Sequence, residues 1–287
     1  CGGPGRPGGL RREVGRGIMV TACLGRALSV HSRRVPQVFV RGFLKVAMDE
    51  MTSETTAAGG AERILEQPQM ARLFKWGVRD YGEVLGMQEH VRAARQAGTI
   101  ADTWLAGEHT IVITQGVRGQ QGDLTLPGAY PVFQIDRGGM TTLHNPGQLV
   151  IYPIVRTLGG MLAPARMSMA LLTSVRDWIK SLHGVELEIP HGRPGLFHGP
   201  RKVAAIGVSI HSHVSMHGIA INLCNDLSPW AAIVPCGEPS TRPINLSDVL
   251  GRRVEPQAML DVLPAFLQTY WGYEAVRAVE DPGLLCD

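Results

Sequence analysis

Cysteine is scarce in this chain. Five occur in 287 residues, at positions 1, 23, 224, 236 and 286, an odd set with no C-x-x-C pair. That excludes a disulfide framework and predicts a reducing, cytoplasmic setting. Charge is also sparse, at 18% of residues, and no apolar run reaches the ~20 residues a membrane-spanning helix needs. The expectation is a soluble chain with no membrane partner. The glycine-rich run from Gly116 to Ala129 lacks a terminal G-K-[ST], so it is not a nucleotide-binding P-loop. No internal repeat is visible.

The formal net charge of +3 is unevenly spread. Residues 1–47 hold nine Lys or Arg and one acid, Glu13, which leaves the remainder at −5. The basic character belongs to one end, so no nucleic-acid partner is inferred. Residues 1–70 read as a disordered extension or tail, 71–275 as one catalytic domain and 276–287 as a second tail. The chain begins with Cys1, and Met19, Met48 and Met51 are candidate starts behind it. The Arg-rich, acid-poor opening also has transit-peptide character, which makes a mitochondrial location the alternative.

From Leu73 the patterning sharpens. LFKWGV predicts a strand, and Asp80 with Glu83 a capped helix that ends at Gly98. TWLAGE and TIVIT predict strands around the Glu108-His109 turn. A strand then enters Asp136-Arg137-Gly138-Gly139, a second carries Thr141 to His144, and Asn145-Pro146-Gly147 turns into QLVIYPIV. The paired glycines let a ligand approach closely, their N–H groups suit an oxyanion, and Arg137 suits an anionic group. Met167, Leu171, Val175, Trp178 and Leu182 fall at helical spacing over 164–183, as a core stripe. VELEIP predicts a strand and RPGLFHGPR a turn. Helical stretches are expected at Leu246–Leu250 and from Pro256 to Tyr270.

The most informative stretch runs from Lys202 to Cys236. Ala204, Ile206, Val208 and Ile210 alternate as in a half-buried strand, as do Ile219, Ile221 and Leu223. A polar segment, Ser209 to Ser215, lies between them. Asp226 caps a short turn through Trp230, and Val234-Pro235-Cys236-Gly237 follows. Pro235 and Gly237 hold Cys236 on a constrained turn. A thiol presented this way suits a nucleophile if a cation stabilises its thiolate, and Lys202 is the candidate. Taken alone, the two residues are more often a buried structural cysteine and a surface lysine. Cys224 lacks the Pro-Cys-Gly context and reads as structural. His191, His198, His211, His213 and His217 invite a zinc reading, and alternation puts His211 and His213 on one face. No Cys or carboxylate joins them at ligand spacing, so no metal is expected.

Taken in order, RGGMTTLHNPGQLVIYPI, KVAAIGVSI, MHGIAINLCNDLSPW and IVPCG resemble the lipoyl(octanoyl) transferase family of the biotin/lipoate protein ligase superfamily. The likeness spans about Leu73 to Tyr270. It implies an α+β catalytic module, a mixed β-sheet flanked by helices. It implies transfer of an octanoyl group from octanoyl-acyl carrier protein to one lysine of a lipoyl domain, as in 2-oxo acid dehydrogenase complexes and the glycine cleavage H protein. No cofactor is implied, because a thioester already carries the energy of the amide. Carried over by motif, Cys236 is the acyl-thioester nucleophile and Lys202 its activator. The substrate-binding segments are Arg137, Gly138, Gly139, Met140, Thr141, Thr142, Leu143 and His144; Ala205, Ile206 and Gly207; and Gly218, Ile219 and Ala220. His217 falls beside the last of these and packs into the site. Two departures stand out. Asn145 replaces the glycine of H-G-P-G-Q, and Ser209 to His213 replaces a segment richer in Arg. The rival readings are a cysteine-dependent octanoyl relay between lipoyl-type proteins, an ATP-dependent lipoate or biotin ligase, and a non-catalytic His-rich binding module.

Overall fold

The structure is a computed structural model and describes residues 2, 65, 70–160, 163–234 and 241–281. Strand β1 (Met70–Arg79) leads into helix α1 (Tyr81–Ala97). Asp80 caps α1 by accepting from the Gly82 N–H, and Gly98 ends it in the left-handed region at φ 76°. Strands β2 (Asp102–His109) and β3 (Val112–Gln115) follow, then β4 (Val132–Gln134), β5 (Thr141–His144) and β6 (Gln148–Ile154). Helix α2 (Ala163–His183) precedes β7 (Leu196–His198), β8 (Arg201–His211) and β9 (Val214–Asn222). The described chain closes with β10 (Arg242–Pro243), α3 (Leu246–Leu250), α4 (Pro256–Trp271) and β11 (Ala275–Ala278).

Two sheets form. The large one runs β10-β8-β9-β6-β2-β1-β11, with β7 also paired to β8, and the small one runs β4-β3-β5. Parallel and antiparallel pairs mix in the large sheet: β1 is parallel to β2, whereas β2, β6, β9 and β8 are successively antiparallel. Strand alternation divides its side chains between two covers. Leu149 and Ile151 join the cluster formed with α2 and α4, while Val150 and Tyr152 join the cluster formed with α1. This is the mixed α+β sheet expected. Among the described residues, no helix is long and apolar enough to cross a membrane.

Some expectations fail locally. VELEIP makes only an isolated bridge, Glu188 to Phe197, and the pairing strand is β7, inside the segment expected to be a turn. Bonding capacity, rather than alternation, decides here: Leu196–His198 reaches β8, and 185–190 reaches only Phe197. Leu182 is 40% exposed, and Ile179 takes the inward position on α2. The β8–β9 hairpin is tighter than expected, turning on Ser212 and His213 at positive φ. His211 and His213 therefore do not share a face: His211 bonds Asp136, and the His213 ring lies against Gly159. Two ordered contacts also lie beyond the expected domain bounds. Leu65 is buried and bridges Thr157, and β11 pairs with β1 through Ala278.

Candidate active site

Strands β8 and β9 set two of the expected substrate segments directly opposite each other: Ala205 with Ala220, Ile206 with Ile219, and Gly207 with Gly218. A side chain on Gly218 would collide with the Ile151 carbonyl, and one on Gly207 would meet the Gly138 carbonyl at 2.6 Å. The absent Cβ atoms thus let two neighbouring chains close in. The loop after β4 exploits this: the Gly138 N–H donates to the Val208 carbonyl at 3.0 Å. That N–H is consequently committed within the fold, and the expectation that both glycine N–H groups face an oxyanion does not hold for Gly138. Ala205 and Ile206 are half-exposed, so solvent reaches the strand beside this loop.

A one-way series of hydrogen bonds crosses from the small sheet to the large one. Arg137 Nη2 donates to the Thr114 hydroxyl at 2.9 Å, and that hydroxyl lies 3.4 Å from His144 Nε2. His144 Nδ1 donates to Gln148 Oε1 at 2.7 Å, and Gln148 Nε2 donates to Asn222 Oδ1 at 2.9 Å. Asn222 Nδ2 then donates to the Lys202 carbonyl at 3.4 Å. The direction is forced. Gln148 Nε2 also donates to the Leu143 carbonyl, so its oxygen must face His144, which makes the Nδ1–H tautomer of a neutral ring. Burial agrees, pushing the His144 pKa down to about 3, with the neighbouring His109 lowering it further. All six residues are buried. A fully satisfied buried network of this kind fixes one geometry.

A second polar group sits at the β8–β9 turn end. Asp136 accepts from His217 Nε2 at 2.7 Å and from His211 Nε2 at 2.8 Å, with Arg92 at 3.5 Å. The His217 hydrogen bond, foremost, holds the Asp136 carboxyl well below the usual range, and burial lowers His217 itself. His217 has φ 61°, a strained value for a residue with a side chain, and its N–H donates to Gln88 Oε1 at 3.0 Å. Beneath lie stacked rings. Tyr81 packs on His109, Phe133 and His144, and His109 Nε2 meets the Tyr152 hydroxyl at 2.8 Å. Burial lowers the His109 pKa to about 4.

Lys202 begins this architecture. It is 5% exposed, opposite Phe197 on β7 and Pro243 on β10, with Nζ 5.1 Å from the Phe197 ring centroid. Cys236 lies outside the described residues. The chain on either side of it is well held. Val234 N–H donates to the Asp123 carbonyl at 2.7 Å, and Trp230, Ala232 and Ile233 pack on Leu143 and Ile113. On the return, Thr241 accepts from Arg193, and Ile244 N–H donates to the Lys202 carbonyl at 3.0 Å. Ile244, eight positions after Cys236, therefore lies beside Lys202. Cys224 donates to Glu255 Oε2 at 3.5 Å, and burial followed by that carboxylate raises its pKa to about 11. Such a thiol is a poor nucleophile at neutral pH.

Of the expected substrate residues, Arg137 to Gly139, Ala205 to Gly207 and Gly218 to Ala220 come together. Arg137 points inward, to Thr114 and the Gly138 carbonyl. Thr141 bonds Asp123 and Gln115, Thr142 pairs with Thr114, Met140 is half-buried with its carbonyl accepting from Gly116, and Leu143 is core. The sequence reading missed Thr114, Gln148, Asn222, Asp136 and Gln88. Gln88 left a signal, a polar residue on the buried α1 stripe of Tyr81, Val84 and Val91. Asn145 stands where the family motif has glycine, and a glycine there could serve a positive φ. Among the described non-glycine residues, only Ser212, His213 and His217 have positive φ, so the turn makes no such demand at 145.

Comparison with known proteins bears on this geometry. The lipoyl protein ligase A/B catalytic domain model matches residues 80–268. An octanoyltransferase of Chromohalobacter salexigens is 34% identical over 226 residues, covering 71% of this chain and 99% of that protein. An octanoyltransferase of Shewanella denitrificans is 31% identical, covering 73% and 91%. Among solved structures, lipoate-protein ligase A bound with ATP superposes with a TM-score of 0.60 at 14% identity, over 75% of this chain and 91% of that one. A bipartite lipoate protein ligase from Thermoplasma acidophilum gives 0.56 at 12%, over 75% and 89%. These structures share the fold, which by itself does not choose between transferase and ligase, but the sequence relatives do choose. The chain belongs to the octanoyltransferases of the lipoyl protein ligase A/B catalytic-domain family.

Proposed function

We propose that this acyltransferase takes an octanoyl group from octanoyl-acyl carrier protein onto Cys236 and passes it to a lysine of a lipoyl domain. The observation that carries the reading is the convergence of Arg137 to Gly139, Ala205 to Gly207 and Gly218 to Ala220 around β8, the strand that carries Lys202. The chemistry balances with these groups. The Lys202 ammonium favours the Cys236 thiolate, which attacks the thioester carbonyl. The tetrahedral intermediate collapses, the carrier sulfur leaves, and Lys202 supplies its proton. The lipoyl-domain lysine then attacks as a neutral amine, the Cys236 sulfur leaves, and Lys202 takes the amine proton. Exchange of one thioester for another is near balance and amide formation is downhill, so no nucleotide is consumed. The recipients are the lipoyl domains of 2-oxo acid dehydrogenase complexes and the glycine cleavage H protein.

Intact-mass measurement after mixing with octanoyl-acyl carrier protein tests this. One octanoyl adduct is expected on the wild type, none on Cys236→Ala, and transfer to a lipoyl domain without ATP. No adduct on the fresh, reduced wild type would sink the mechanism.

A further inference from the structure

We propose that Asn145 is a positioning residue, whose side chain clasps the entry of the chain segment that carries Cys236 at the asparagine to which the segment's return is tied. The inference rests on the reading above, that Cys236 is the acylated thiol activated by Lys202.

Asn145 is buried in the β5–β6 turn, and its amide works in both directions. Nδ2 donates to the Asp226 carbonyl at 2.7 Å, and Oδ1 accepts from Asn225 Nδ2 at 3.0 Å. The Asn225 carbonyl in turn accepts from Asn245 Nδ2 at 2.9 Å. Asn225 and Asn245 are 20 positions apart, and Cys236 lies between them. Asn245 follows Ile244, whose N–H donates to the Lys202 carbonyl. The Asn145 side chain thus holds the entry of the Cys236 segment, and Asn245 ties the same Asn225 to the return beside Lys202.

The turn is shaped to receive this clasp. Gly147 has φ 90°, and a Cβ there would meet Asn225 Cα at 2.7 Å. Its carbonyl accepts from the Leu223 and Cys224 N–H groups, and its N–H donates to Glu108 Oε2 at 2.6 Å. Backbone lies directly on backbone, so a two-bond side chain at 145 fixes the plane of the Asn225 amide. A glycine at 145 would satisfy the turn equally well, since φ there is not positive, but would make neither side-chain bond. What asparagine adds is the clasp alone. Losing it relaxes the entry of the Cys236 segment against its return, and with it the distance over which the Lys202 ammonium acts on the thiol.

The test is the pH dependence of iodoacetamide alkylation at Cys236, followed by mass spectrometry of its peptide in the full chain. Melting temperatures are recorded alongside. The wild-type midpoint is expected below that of a free thiol. In Asn145→Gly the midpoint is expected to rise by about one pH unit, so the thiolate fraction and acylation rate at pH 7 fall about tenfold. KM for a small octanoyl thioester is expected to change less than about twofold, since the Asn145 side chain bonds Asn225 and Asp226 and no residue of the substrate segments. Asn145→Asp keeps the acceptor for Asn225 and loses the donor to Asp226, and is expected between the two. It also carries the test alone if the glycine variant fails to fold. An unchanged midpoint in a folded variant overturns the clasp. A free-thiol midpoint in the wild type overturns the Cys236–Lys202 reading, and the clasp with it.

Discussion

The two covers of the large sheet are built from different materials. Under α2 and α4 the contacts are almost wholly apolar: Trp104 meets Trp271 edge-on at 4.8 Å, and Trp178 packs on Phe266 at 4.5 Å. Beneath α1 and the small sheet, buried hydrophobics share space with Gln88, His109, Arg137, His144, Gln148 and Asn222. Burying such groups gains nothing for stability unless each is paired, and here Arg137, His144, Gln148 and Asn222 pair in a single direction toward the Lys202 carbonyl. The expected substrate segments span both sides: Ala220 joins the cluster with α1, while Ile206 and Ile219 pack on the apolar one. The apolar face holds the sheet in shape, and the polar face spends some of that stability to hold Lys202 and the Arg137 loop at one separation.

The comparison can be broken from the apolar side first. Phe266→Ala removes a ring that touches Trp178 and Tyr270 and is expected to cost about 3–5 kcal/mol of stability. The acyl-transfer rate of the remaining folded protein should stay near wild type. A rate loss beyond the folded fraction, measured by single-turnover acylation below the melting temperature, would show that the two faces are not separable.

The next effect is one of acid. His109 and His144 titrate near 4 and 3 in the folded protein, because burial disfavours their cations. In the unfolded chain they titrate near 6.5. Above about pH 6.5 both states leave the rings neutral, and the full stability is present. As pH falls from there, the unfolded state gains protons that the folded state refuses, and each ring removes up to about 1.4 kcal/mol per pH unit. Asp136 has a depressed carboxyl and adds to this only further down, below the ordinary carboxylate range. Denaturant midpoints should be level from pH 7.5 to about 6.5 and fall steadily from there to pH 5. A flat profile would mean that the polar face is wetter than its burial indicates.

How much of this was legible beforehand follows the same division. The apolar face announces itself by period: Met167, Leu171, Val175 and Trp178 are where helical spacing puts them. Spacing failed only at the helix end, where Leu182 rotates into solvent. Strand β7 escaped because three residues between turns carry no period, and only pairing to β8 defines them. On the polar face the motif glycines were readable, since a missing Cβ has a direct spatial meaning, as at Gly207. Thr114, Gln148 and Asn222 were not. Their role depends on partners 30 and 74 positions away, and a threonine, glutamine or asparagine in a strand looks like any exposed polar residue. His217 was found by its motif neighbourhood, but its positive φ and its bond to Asp136 were invisible in sequence.

Gln148 gives the smallest and most discriminating test. Gln148→Glu keeps the size and the acceptor facing His144, but loses the donor to Asn222 Oδ1 and the Leu143 carbonyl. Leaving those acceptors unpaired is expected to cost about 1–3 kcal/mol at neutral pH and to slow acylation by Lys202 displacement. The new carboxyl is buried and lies against His144 Nδ1. Either it holds a proton itself or His144 takes one, so the folded variant carries one more proton than the wild type near neutrality. By linkage the extra native proton subtracts from the rise of stability with pH. The variant should therefore be less stable than wild type at pH 7.5, and the gap should narrow toward pH 5.5. A stability loss with neither a changed pH slope nor a slower acyl transfer would reduce the series from Arg137 to Lys202 to ordinary packing.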